Sequence, residues 1–149
     1  MFRLAFVLVV SLSAIAGHAE RIPFLVRAPA DVLVVQTHRG DACSASEEQV
    51  RDTANAVVRQ AGIRAATRVE APMALRLTVS ISCSPDGGVH LLVHFLDDAR
   101  GTMTTPMNVR VEADSNSAAS LVSAVRMATE QAVADYVDSN PELARRRSP

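Results

Sequence analysis

The sequence predicts an α+β fold: one domain in two layers, with a four-stranded, mostly antiparallel sheet carrying two helices on one face, in the order β-α-β-β-β-α. Three observations predict it. Residues 75–96 alternate apolar and polar side chains on both sides of a Pro85-Asp86-Gly87-Gly88 turn, the pattern of a half-buried hairpin. Two longer segments, 46–61 and about 114–138, repeat apolar residues at helical spacing behind Ser and Asp caps. A Val-rich run at 31–38 precedes the first of them, so a strand-helix-strand unit opens the domain.

In chain order, residues 1–19 read as an export signal rather than as structure. A basic start ending at Arg3 precedes an apolar run from Leu4 to Ile15, and Gly17-His18-Ala19 supplies small residues for cleavage after Ala19, with Ala16 as the second choice. The run is too short to span a bilayer, and no second apolar run follows it. No cysteine stands near the cleavage position, so no lipid anchor is expected. The expectation is a periplasmic or secreted protein with no transmembrane segment after processing.

Removal of residues 1–19 takes away Arg3 and no acid, leaving 14 basic and 16 acidic side chains and a net charge of −2. That balance argues against a nucleic-acid partner. Every basic residue is Arg, a bias of GC-rich coding, and Trp is absent. With Tyr136 as the one Tyr, the composition argues against stacking on sugars or bases as a main activity.

Residues 20–30 carry Pro23 and Pro29 and are expected to run extended along the surface, with a short edge strand at 24–27 as the alternative. Segment 31–38 is apolar on both faces and belongs inside the sheet; Arg39-Gly40-Asp41 ends it as a turn. Ser44 with Glu47, or Ser46 with Gln49, has capping-box spacing, and Gly62 followed by Ile63 closes that helix. In the hairpin, apolar residues occupy odd positions on both arms, so the loop must hold an odd number of residues. A three-residue loop, Asp86-Gly87-Gly88, is expected, placing Val79 opposite Phe95 and Ile81 opposite Val93. Alternation over 103–112 predicts a fourth strand, which Pro106 assigns to a sheet edge. Leu121, Val125, Ala128, Ala132 and Tyr136 form the stripe of the second helix, and 139–149, with three consecutive Arg, reads as a flexible basic tail. The domain thus covers 31–138.

The two cysteines follow from the topology. Parallel strands of a β-α-β unit end at one edge of the sheet; Cys43 follows the first and Cys83 ends the second, so the two pair as a disulfide in an oxidising compartment. Their spacing is not that of a redox-active CxxC. His38 and His90 are expected at the same edge, which makes His38, Cys43, Cys83 and His90 an alternative site for Cu(I) or Zn(II). Against it, an oxidised pair offers no thiolate and Cys83 belongs to the opposite face from His90. His90 and His94, about 13 Å apart along one strand, do not share a metal.

No G-x-S-x-G elbow surrounds Ser80 or Ser82, Gly87-Gly88 joins two strands rather than opening a helix, and Asp97-Asp98 fits a turn. No catalytic residue and no cofactor is assigned, and an enzyme is not expected. With helices on one face, the other presents Arg76, Thr78, Ser80, Ser82, His90, Leu92, His94 and Leu96, a half-polar surface suited to docking, as is the edge strand. The expected role is a small exported accessory or binding protein whose partner is another envelope protein or a second copy of itself.

Overall fold

A computed structural model describes residues 23–101, 109–111 and 116–145. The sheet is built from β1 (Val32–Arg39), β2 (Arg64–Ala66), β3 (Arg76–Cys83), β4 (Val89–Leu96) and β5 (Val109–Val111) in the spatial order β2-β1-β3-β4-β5. The helices are α1 (Glu47–Gln60), α2 (Ala118–Ser139) and the short α3 (Pro141–Arg145). The β-α-β-β-β-α order is present, with one strand more than predicted. The sheet is mixed rather than mostly antiparallel: β1 runs parallel to both β2 and β3, whereas β3–β4 and β4–β5 are antiparallel.

The extra strand explains the change. Ser46 caps α1 with the expected box, its hydroxyl accepting from Gln49 N–H (3.1 Å) while the Gln49 side chain accepts from Ser46 N–H (2.8 Å). At the other end Gly62 adopts φ 72°, a conformation that glycine reaches without a Cβ penalty, and Ile63 N–H donates to Val58 O (3.2 Å) as its side chain enters the core. That cap delivers Arg64 N–H to Asp31 O (2.9 Å), so three residues pair with the start of β1 before a Thr67–Glu70 turn stops them. Three residues are too few for alternation to register.

The core lies between one sheet face and the two helices. Leu33, Leu77, Val79, Ile81, Leu91, Val93 and Phe95 from the strands meet Val50, Ala54, Val57 and Val58 of α1 and Leu121, Val125, Ala128 and Ala132 of α2. Tyr136 is fully buried, stacks on Phe95 at 5.6 Å between centroids, and donates its hydroxyl to Ala30 O (2.9 Å). Burial pushes that phenol well above its usual range.

The hairpin has the expected three-residue loop with a left-handed glycine, but the loop is Pro85-Asp86-Gly87, with Gly87 at φ 92°. Val79 therefore faces Val93, and Ile81 faces Leu91, two residues from the predicted partners. Pro85 has no N–H for a ladder, so the turn includes it, and Ser84 N–H pairs with Gly88 O (2.7 Å) to close the loop. The edge position expected of the fourth strand is found for β5; Pro106 lies outside the described residues.

Both predicted loose ends are folded where described. Pro23–Leu25 is a 3-10 turn whose Leu25 is buried in the core rather than lying on the surface. Asn140 ties this strap to the end of α2: its amide donates to Leu25 O (2.9 Å) and Tyr136 O (2.8 Å), and its oxygen accepts Arg27 N–H (2.8 Å). Leu143 of α3 is buried as well, so the expected tail does not begin at 139.

Candidate functional site

Cys43 and Cys83 form the disulfide, with Cα atoms 5.1 Å apart, at the edge where the parallel β1 and β3 both end. The turn between β1 and α1 is held there from several sides. Gly40 N–H donates to Ile81 O (2.8 Å) and Arg39 donates to Cys43 O (2.7 Å). The Asn116 amide donates to Ala42 O (2.9 Å), and its oxygen accepts Ser44 N–H (3.1 Å).

With both sulfurs in that bond, the alternative copper or zinc site of His38, Cys43, Cys83 and His90 loses its two thiolates. Among the described residues no group of three or more His, Cys, Asp or Glu side chains is placed to hold a metal.

On the outer sheet face the strand register arranges side chains in rows. Val34, Arg76 and Leu96 form one, followed by Gln36, Thr78 and His94, then His38, Ser80 and Leu92. Ser82 faces His90 in the last row, beside the disulfide edge.

The two ends of this face are different environments. At the first row Arg76 is bonded on two sides: Nη1 donates to Gln36 Oε1 on β1 (2.5 Å) and Nη2 to Asp98 Oδ1 just past the end of β4 (2.6 Å). Asp98 also pairs with Arg68, which fastens the 67–75 connection at this end of the face. Val34 and Ala66 are buried here although they stand outside the main apolar cluster. Thr78 is only 3% exposed. Of the predicted docking residues, Arg76, Thr78 and Leu96 thus belong to the covered end, with Arg76 and Thr78 largely buried. His94, half-buried beside them, is held below its usual imidazole range, first by burial and then by the positive charges of Arg76 and His38.

Ser80, His90 and Leu92 stand at the other end. There, with His38, Gly40 and Ser82, they line an open hollow of about 470 Å³. Leu92, 38% exposed, lines it together with Ile81 as an apolar residue beside the polar groups. His38 and Gly40 were not in the predicted docking set; the signal for His38 was its even position on the first strand, in phase with the outer face. A smaller hollow of about 250 Å³ lies between Pro29, Val32, Pro72 and Met73.

Asp97 and Asp98 do more than shape a turn. Asp97 accepts the N–H groups of Ala99 (3.1 Å) and Arg100 (3.3 Å), and its other oxygen pairs with Arg27 at 2.7 Å in a nearly buried contact.

No family model matches the sequence, and no curated protein matches it. A solved structure described as an uncharacterised protein is similar over 80% of this chain and 93% of its own, at 15% identity and a TM-score of 0.44. That degree of likeness carries no argument about fold or function. Among the described residues no helix is long and apolar enough to cross a membrane.

Proposed function

We propose that the protein is a small exported, non-enzymatic binding protein that engages another envelope protein through the uncovered end of its outer sheet face. The observation that carries this reading is the hollow at His38, Ser80, His90 and Leu92: polar groups from three strands surround an exposed leucine on a rigid sheet, while the other end of the same face is taken up by the molecule's own ion pairs. The export half of the reading is supported by the signal-like pattern of residues 1–19 and by the Cys43–Cys83 bond, which suits an oxidising compartment. On the β2 side the edge strand is only three residues long, which favours the face over that edge.

Affinity capture from envelope extract tests the reading. Leu92→Glu, on an exposed position, should lose captured partners that the wild-type chain retains, with an unchanged amide spectrum showing an intact fold. Leu96→Glu, at the covered end, serves as the comparison. An identical partner set for wild type and Leu92→Glu contradicts the proposal.

A further inference from the structure

Exposed apolar side chains gather at the end of the molecule where β1 and β3 begin, opposite the disulfide. Among the described residues five large apolar side chains are exposed, and three of them, Val26, Val69 and Met73, belong to the strap and to the 67–75 connection. Val26 and Met73 line one shallow depression with Arg100, and Met73 also lines the hollow beside Pro29, Val32 and Pro72, so the two segments meet as one apolar rim. Val69 is 94% exposed and Met73 74%. The backbone that carries them is bonded into turns, Ala71 N–H to Thr67 O and Ala74 N–H to Ala71 O (both 3.1 Å). Apolar side chains grouped in water on folded turns mark a contact surface.

The charges beside the rim are arranged by sign. Asp97 and Asp98 are mostly covered, and each holds two guanidiniums: Asp97 those of Arg27 and Arg100, Asp98 those of Arg76 and Arg68. In each set the inner arginine, Arg27 or Arg76, is largely buried, while the outer one, Arg100 or Arg68, is more than half exposed. These networks therefore turn cations outward. Glu70, the acid of the connection, is bonded to Thr67 and stands beside Arg64, which offsets it.

The chain also enters here. Pro23 O accepts Val26 N–H (3.4 Å), so residues 1–22, with the apolar run Leu4–Ile15, join the fold beside the rim. Residues 16–22 between that run and Pro23 reach at most about 30 Å when fully extended. An export signal lodged in a bilayer therefore holds this end of the molecule near the lipid.

We propose that the rim is a membrane-surface face for an anionic phospholipid bilayer. Val69 and Met73 enter the boundary between headgroups and acyl chains, Val26 rests against it, and Arg68 and Arg100 pair with lipid phosphates. Arginine suits the place, since its guanidinium matches a phosphate and its stem lies along apolar surface. The inference takes from the docking reading only that the protein is exported. It concerns the opposite end of the molecule, so the two are judged apart.

The test sediments the protein, purified in its exported disulfide-bonded form, with vesicles of phosphatidylethanolamine and phosphatidylglycerol, and with vesicles of phosphatidylcholine alone. Binding to the anionic vesicles should be saturable, and weaker by about tenfold on phosphatidylcholine or on raising salt from about 0.02 to 0.5 M. The Val69→Ser, Met73→Ser double variant should lose about tenfold or more in affinity, and Arg100→Gln about fivefold. All three positions are exposed, so an unchanged amide spectrum is expected of each variant. Met127→Ser and Leu92→Ser, which alter exposed apolar side chains elsewhere, should bind as the wild type does.

No sedimentation with the anionic vesicles at low salt, equal binding to both lipids, or equal losses from Met127→Ser and from the Val69, Met73 pair would each overturn the lipid face. Capture of a protein through Val69 and Met73 without vesicle binding would do the same. Partner capture by Leu92→Glu decides the docking reading alone.

Discussion

The two ends of the outer sheet face share the strands β1, β3 and β4 and differ in how their polar groups are spent. Around Arg76, the guanidinium is bonded to Gln36 and Asp98, Arg68 closes over from the 67–75 connection, and Val34 and Ala66 are hidden from water. Around Ser80 and Leu92, the strands are made rigid from the edge by the Cys43–Cys83 bond, the Asn116 clamp and the Gly40–Ile81 hydrogen bond, and the outward side chains stay exposed. One end is consumed by the fold. The other is positioned by the fold and left open, which is the condition for a docking site on a rigid element.

Breaking the edge anchor should have the largest effect on this contrast. The Cys43→Ala, Cys83→Ala chain should lose about 4 kcal/mol of stability by chain-entropy reasoning, read from denaturant unfolding. Amide exchange at Gly40 and Ser44 should quicken far more than at Arg76, because only the disulfide end is released. The two faces of β4 separate next: Leu91→Ala, in the core, should cost about 3 kcal/mol, whereas Leu92→Ala should stay within about 0.5 kcal/mol.

At the covered end, Asp98→Asn leaves the largely buried Arg76 without its carboxylate and should cost about 1–2 kcal/mol, with salt masking less of the loss than it would at the surface. The smallest effect concerns pH. The His94 imidazole titrates below its ordinary value of 6.5 in the folded chain, so the unfolded chain takes up the proton first as pH falls. Its contribution to stability is complete above that ordinary value and is lost as pH falls through it toward the folded one. His94→Gln should flatten the dependence over that window, measured by denaturant midpoints; an unchanged slope would assign it to other groups.

The elements longer than a few residues were legible because each carried its own period: alternation placed β3 and β4, and the helical stripe with its caps placed α1 and α2 close to their observed ends. The disulfide was legible from topology, since parallel neighbours end at one edge. What escaped was set by tertiary contacts. β2 exists because the Gly62 cap aims Arg64 at Asp31, and nothing in Arg64-Ala65-Ala66 alternates. The strap reads as surface because its prolines mark irregular backbone, whereas the Asn140 side chain, bonded to Leu25 O, Tyr136 O and Arg27 N–H, gives that irregular backbone its partners inside the protein. The division of the outer face was hidden for a similar reason. Alternation assigns Arg76 and Leu92 to one face equally, and only the Arg68–Asp98 pair shows which of them is covered.

The most direct measurement of the central claim is site-specific photo-cross-linking in the producing cell. A photoreactive side chain at position 92, in the hollow, is compared with one at position 127, a more exposed apolar position on α2. The account predicts discrete cross-linked adducts from position 92 that are absent from position 127. Adducts of equal yield from both positions, or adducts from 127 alone, would contradict it.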